Sequence, residues 1–222
     1  MIDIRQLQFS YPHSSFDLFI EHLQIDSLCA TAVVGPSGSG KTTLLHLMAG
    51  ILLPQAGQIT VNEQSVSGMS EAARRRFRLQ HVGMVFQNFE LIEYLSVLDN
   101  VLLPCRIGDA VALTQDVRDR ALSLLVAAGL EQHVRKSVTR LSQGERQRVS
   151  ICRALLTRPS VILADEPTGN LDPVTSEQIL QLLLKSVSEE QATLVMVTHD
   201  HSLLHHFDQT IDFAQFLTPA AS

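Results

Sequence analysis

The chain has 222 residues, 45 % hydrophobic and 18 % charged, an ordinary globular composition that excludes wholesale disorder. Lys and Arg number 17 against 23 Asp and Glu, a formal net charge of −6, which excludes the basic footprint of a nucleic-acid binder and unaided adhesion to an anionic membrane. Cys29, Cys105 and Cys152 are scattered and form no C-x-x-C pair, and no apolar run reaches the roughly 20 residues that span a bilayer. The expectation is a protein of the cytoplasm, without disulfides or direct membrane insertion, for which any membrane role must come through a partner.

In chain order, Ile2 to Phe9 and Phe16 to Ile25 read as strands around a Tyr11-Pro12-His13-Ser14 turn, the alternation of the first being broken in its middle. The alternating start lacks a basic region followed by an apolar core, so it does not read as a signal peptide. Cys29 to Val34 is a short apolar run ending at Gly35, as expected of a buried strand. A helix is predicted over 42–50, and short strands over Gln58 to Val61 and Val82 to Phe86. Arg74, Arg75, Arg76 and Arg78 just before Val82 fit either a solvated helix face or a partner-binding patch. The middle then changes character. Helical patterns run from Val97 to Leu103, from Asp116 to Ala128 and from Ser142 to Thr157. Ser160 to Ala164 is again a strand, Val174 to Ser188 a helix and Thr193 to Thr198 a strand. Residues 88–158 thus read as an all-helical insertion in an alternating β/α frame. Because the sequence ends soon after its last core element, no C-terminal regulatory domain is expected.

Gly35-Pro36-Ser37-Gly38-Ser39-Gly40-Lys41-Thr42 matches G-x-x-x-x-G-K-[ST] and stands between a predicted strand and a predicted helix, the context the motif requires. Its glycines let backbone N–H groups converge on phosphate oxygens, and the helix start adds partial positive charge. Lys41 supplies a cation for the β- and γ-phosphates, and Thr42 a hydroxyl for Mg²⁺; the cradle extends to Thr43. A second cluster, Val161-Ile162-Leu163-Ala164-Asp165-Glu166, delivers two carboxylates at the carboxyl end of a strand, where open parallel sheets place their ligands. Asp165 is the candidate metal ligand. Glu166, expected to point the other way along the pleat, is the candidate base for an attacking water.

Leu141-Ser142-Gln143-Gly144-Glu145, read with these two motifs and His199, resembles the ATP-binding cassette (ABC) ATPases over nearly the whole chain. The resemblance implies an α/β fold: a P-loop NTPase core with a mostly parallel sheet, an N-terminal antiparallel β subdomain and an inserted all-helical subdomain. A single domain over 1–222 is implied, with 1–87 and 159–222 forming the nucleotide-binding core with its β subdomain and 88–158 the helical one. It also assigns roles. Tyr11 looks like the aromatic that stacks on adenine, and Gln87 like the glutamine that touches Mg²⁺ and the attacking water and hinges the helical part. Ser142 and Gly144 look like the signature that grips the γ-phosphate of ATP bound to a second copy in a homodimer. Asp172, in Gly169-Asn170-Leu171-Asp172, looks like part of the loop that crosses the dimer interface, and His199 like the γ-phosphate sensor.

On its own, Ser142 followed by Glu145 is a capping box and marks a helix start. That reading and the anion-site reading stand together. Gln143 replaces the glycine commonest there, which would strain the backbone if the position needed positive φ. Phe86 to Ile92, Leu95 to Val101 and Ala164 to Asp172 are similar to the lipoprotein-release, macrolide-export and cell-division group, whose cassettes work with separate membrane-spanning permease subunits on the cytoplasmic face of the membrane. Phe89, Leu91, Ile92, Tyr94 and Leu95 either pack inside the helical part or line a groove for a permease helix. A DNA-acting relative would carry a coiled-coil or zinc insertion between Lys41 and Ser142, and this interval shows neither heptads nor a cysteine cluster. A low-turnover structural tether would need the same residues and stays open.

Overall fold

The computed structural model describes residues 1–14, 16–108 and 110–216. In chain order its elements are β1 (Ile2–Ser10), β2 (Asp17–Ile25), β3 (Ala30–Val34), α1 (Lys41–Met48), β4 (Ala56–Val61), β5 (Gln64–Ser65), α2 (Glu71–His81), β6 (Val82–Phe86), α3 (Val97–Val101), α4 (Gln115–Ala127), α5 (Gln143–Leu155), β7 (Val161–Asp165), α6 (Pro173–Glu189), β8 (Thr193–Val197) and β9 (Gln209–Asp212), with short 3₁₀ turns between. They form two sheets. One is antiparallel with order β2-β1-β4-β5; the other has order β6-β7-β8-β3-β9 and every pairing in it is parallel.

The residue patterns explain this division. In β2, Leu18, Ile20, Leu23 and Ile25 are buried and their neighbours exposed, the signature of a sheet covered on one face. In β1 the alternation breaks because Gln6 has φ 48° and the pairing with β4 shifts between Arg5 and Gln8, a bulge that moves Leu7 back to the buried face. β8 is buried at every residue and β7 at all but its last, as strands covered on both faces must be.

Three apolar clusters follow. The antiparallel sheet, α1 and one face of the parallel sheet enclose Ile4, Ile20, Leu44, Leu47, Leu163 and Val195. The other face of the parallel sheet packs on α5 and α6 through Ile151, Leu155, Ile162, Ile179 and Leu183. Val97, Val101, Leu125, Val149, Cys152 and Leu156 form the interior of the helical part. The helix α5 belongs to both of the last two, so it ties the helical part to the sheet.

The helical pattern predicted to Leu103 ends at Val101, and Leu103–Cys105 continues as a 3₁₀ turn around Pro104, whose ring cannot donate a helical hydrogen bond. Arg74 and Arg78 serve neither of the uses expected of them. Both are half-buried and donate to the Gly50 carbonyl, at 3.1 and 2.8 Å, just past the end of α1, and Arg74 also holds the Met69 carbonyl. Arg75 pairs with Glu71 on the solvated face. No helix among the described residues is long and apolar enough to cross a membrane.

Candidate active site

The parallel sheet brings the motifs together because each follows the carboxyl end of a strand: the cradle follows β3, Gln87 follows β6, Asp165 and Glu166 end β7, and His199 follows β8. Gly38 and Gly40 have φ of 75° and 102°, left-handed values that a side chain would strain, and Gly40 is the N-cap of α1. This lets the loop close over Lys41. That side chain is only 6 % exposed and its Nζ donates to the carbonyls of Gly35 at 2.8 Å and Pro36 at 2.7 Å. Its charge is thus fixed inside the loop, directly at the helix N-terminus.

A cleft of about 630 Å³ opens beside it, bounded by Tyr11, Lys41, Thr42, Gln87, Asp165 and Glu166, with Ser37, Gly38, Gly40 and Thr43 completing the cradle side. The Tyr11 hydroxyl shares a 3.1 Å hydrogen bond with Thr43 Oγ1, and its ring rests edge-on against Phe9. Phe16, read from the sequence only as a strand start, also lines the cleft and lies against Gly40 and the Tyr11 ring. An aromatic directly after the Tyr11 turn was the only local signal for it.

Burial pushes the Asp165 carboxyl above the usual carboxylate range, outweighing the opposite pull of the Thr42 hydroxyl, and the neighbouring Glu166 charge adds to the rise. Its Oδ1 is buried without a hydrogen-bond partner, as is Ser39 Oγ of the cradle. Orphaned oxygens of this kind fit a missing cation and its ligands. Among the described residues no three His, Cys, Asp or Glu side chains cluster as a metal cage; the donors that meet here are the oxygens of Thr42, Gln87 and Asp165, which suit a hard cation.

Glu166 does not continue the pleat as expected. It leaves β7 with φ 44°, its N–H donates to the Val197 carbonyl, and its Oε2 accepts a 2.8 Å hydrogen bond from His199 Nδ1. The bend turns the carboxylate into the cleft and joins it to the end of β8. Gln87 donates to Asn170 Oδ1 at 3.4 Å, and Asn170 Nδ2 donates back to the Gln87 carbonyl.

Ser142, Gly144 and Asp172 do not line this cleft. Ser142 caps α5 in a complete capping box: its Oγ accepts from Glu145 N–H, while Glu145 Oε2 accepts from Ser142 N–H at 2.7 Å. That N–H holds the Glu145 carboxyl below its ordinary range. Gln143 is the first helical residue and is not among those with positive φ, so its replacement of glycine carries no strain. Gly144 lies against Thr175 of α6, close enough that a Cβ would meet its methyl at 2.8 Å. Asp172 caps α6, accepting from Val174 and Thr175 N–H groups, and the Thr175 hydrogen bonds hold its carboxyl low.

A family model described as ABC transporter matches residues 21–169. The chain is 41 % identical over 191 residues to the lipoprotein-releasing system ATP-binding protein LolD of Hydrogenovibrio crunogenus, covering 85 % of this chain and 82 % of the relative. It is 39 % identical to LolD 1 of Rhodopirellula baltica, covering 96 % and 93 %. Among solved structures it is similar to the dimeric ATP-binding cassette MJ0796 bound to ADP and Pi, with a TM-score of 0.83 at 32 % identity over 96 % of this chain and 95 % of that one. It is also similar to cbiO1 from Clostridium perfringens, part of the cbiONQ transporter complex, with a TM-score of 0.84 at 28 % identity, covering 96 % and 84 %. Cradle, carboxylate pair and capped signature helix therefore stand in a shared architecture: the chain belongs to the ABC transporter family, as an ATP-binding, ATP-hydrolysing subunit.

Proposed function

We propose that two copies of this chain close around two ATP molecules, each site built from the cleft of one copy and Ser142 and Gly144 of the other, and that the motion drives a membrane-spanning permease. One observation carries this reading. The cleft holds the buried Lys41 side chain, an orphaned Asp165 oxygen and the Glu166 carboxylate, which His199 holds from the adjoining cavity, while the capped helix start at Ser142 lies outside it. The dimeric form of the MJ0796 cassette supports the two-copy arrangement.

Tyr11 would stack on the base, and the cradle N–H groups and Lys41 would hold the phosphates. Thr42, Asp165 and Gln87 would hold Mg²⁺, which when bound would offset negative charge on the β- and γ-oxygens. The chemistry asked of the chain is then small. His199 Nδ1–H holds Glu166 Oε2, which fixes the carboxylate and leaves Oε1 to accept a proton from the attacking water. His199 would donate to the γ-phosphate from Nε2 only in the doubly protonated form, in which both ring nitrogens are donors. Hydrolysis frees the γ-phosphate that Ser142 of the other copy grips, and its release as inorganic phosphate lets the dimer open.

Residues 88–158 would swing as a unit about Gln87, against a core of 1–87 and 159–222. The permease contact would use an apolar groove of about 270 Å³ beside β6, lined by Leu79, Met84, Phe86, Leu103, Pro104 and Ile107. Ile107 is 61 % exposed there. Of the segment after Gln87, Tyr94 alone is an exposed large apolar residue, at 86 %; Phe89, Leu91, Ile92 and Leu95 are half-buried. The subunit would therefore sit on the cytoplasmic face of the membrane without inserting. The LolD relatives, named for a lipoprotein-releasing system, make lipid-anchored proteins the favoured cargo class.

The test is Glu166→Gln. The amide keeps the shape and cannot accept the proton, so ATP binding should persist while turnover falls by about 10²–10⁴-fold. Near-normal hydrolysis would remove Glu166 as the base.

A further inference from the structure

Two residues past Gln87 the chain makes an unusual turn. Phe89 and Glu90 are consecutive non-glycine residues with φ of 62° and 48°, a left-handed pair that the surrounding structure has to enforce. One side chain from α5 does so. Arg153 is only 9 % exposed; its Nη2 donates to the Phe89 carbonyl at 2.8 Å, its Nη1 to the Glu90 carbonyl, and Nη2 also reaches Ser150 Oγ at 3.3 Å. All three partners are neutral oxygens. Burial lowers the guanidinium pKa to about 10, which leaves it charged at neutral pH. A planar fork that meets two successive carbonyls fixes their relative orientation, which a point charge cannot do.

Arg153 lies roughly 16 Å along the same helix from Ser142, the residue that faces the second copy's nucleotide in the reading above. At this end α5 also touches β6 backbone to backbone: a Cβ on Gly83 would come within 2.5 Å of the Ala154 carbonyl oxygen. The signature helix is thus joined rigidly to the strand and turn on either side of Gln87.

We propose that Arg153 is a positioning residue: through the carbonyls of Phe89 and Glu90 it fixes the turn that carries Gln87, and ties the placement of Gln87 to that of the helix beginning at Ser142. The proposal rests on the role given above to Gln87. Arg153 touches no substrate, so its loss acts on the rate of the chemical step and not on ATP capture.

The test is Mg-ATP turnover by the full chain. Arg153→Lys keeps the charge and reaches one carbonyl. It should lower kcat about tenfold, with KM for ATP within twofold, and lower the melting temperature by only a few degrees, so that the chain stays folded in the assay. In a Gln87→Ala background it should lower kcat no further. A second pair isolates the turn itself. Glu90 is exposed and glycine adopts φ 48° without strain, so Glu90→Gly keeps the turn and should be near wild type. Glu90→Val sets a β-branched residue at that φ, which disfavours the turn, and should lower kcat several-fold at constant KM. A normal kcat for Arg153→Lys, or a tenfold loss that multiplies onto that of Gln87→Ala, overturns the proposal and leaves the role of Gln87 standing. A normal kcat for Gln87→Ala overturns that role and the proposal with it. If Arg153→Lys does not fold, the Glu90 pair decides: equal rates for the Gly and Val variants overturn the proposal.

Discussion

Gly83 lies in β6, four residues before Gln87, and Gly83→Ala tests how tightly α5 is held there. The added Cβ would stand 2.5 Å from the Ala154 carbonyl oxygen, 3.1 Å from its carbon and 2.6 Å from Ile162 Cδ1. The first contact is roughly 1 Å short of an ordinary van der Waals distance. Ile162 can shift by a rotamer, but the Ala154 carbonyl belongs to a helix buried between two apolar clusters and cannot yield alone. Gly83 itself has no left-handed φ, so the cost is steric only. Overpacking of this kind costs about 1–3 kcal/mol, and a backbone obstacle puts it at the upper end. For a chain of this size that is a fall in melting temperature of about 6–12 °C. The assay is thermal unfolding of the nucleotide-free chain by circular dichroism. Gly68→Ala serves as control, since its Cβ would meet nothing nearer than Ser65 Oγ at 3.3 Å. A fall for Gly83→Ala no larger than that of the control would refute the close packing of α5 on β6.

Three further outcomes follow from the site. Because burial raises the Asp165 pKa, the folded protein holds that proton more tightly than the unfolded chain, so the ionised carboxylate costs stability as pH rises above the usual carboxylate range; Asp165→Asn should therefore raise the nucleotide-free melting temperature at neutral pH and flatten its fall with pH, while abolishing Mg-dependent stabilisation by ATP, and a lower melting temperature would contradict the assignment. Tyr11→Ala should weaken ATP binding about tenfold or more, from about 1–3 kcal/mol of lost base stacking, whereas Tyr11→Phe, which loses only the bond to Thr43, should bind within twofold, as read by calorimetric titration. Ile107→Asp, at an exposed position in the apolar groove, should leave melting temperature and ATP turnover unchanged and abolish co-sedimentation with membranes; retained co-sedimentation would place the permease contact elsewhere.

How far the sequence could be read depended on how locally each feature is built. The cradle was legible because one contiguous loop supplies its glycines, its cation and its hydroxyl. The helix start at Ser142 was legible because a capping box needs only residues 142 to 145, and both of its hydrogen bonds are present. The break in β1 was visible as a lapse in alternation, though its cause, the bulge at Gln6, depends on pairing with β4. The features that escaped are contacts across long intervals. Arg74 and Arg78 read as surface charges because their acceptor, the Gly50 carbonyl, lies far upstream. Arg153 gave no signal, since its partners are backbone carbonyls that carry no side-chain pattern. The resemblance gave His199 only as a γ-phosphate sensor, so its pairing with Glu166 was not read from the sequence, and the positive φ that turns Glu166 into the cleft left no trace in its residue type.

The central claim is that each ATP site is shared between two copies, and a mixing experiment tests it most directly. Lys41→Ala removes the cation of the cradle but keeps Ser142. Ser142→Asp keeps a good helix cap and sets a negative charge against the γ-phosphate, while leaving Lys41 intact. Each variant alone should be nearly inactive in ATP hydrolysis and should not form an ATP-dependent dimer. Mixed in equal amounts, they can form a heterodimer in which one site has Lys41 from one chain and Ser142 from the other. The account predicts that mixing restores ATP-dependent dimerisation and a substantial fraction of wild-type hydrolysis. A mixture no more active than the two variants measured separately would contradict it.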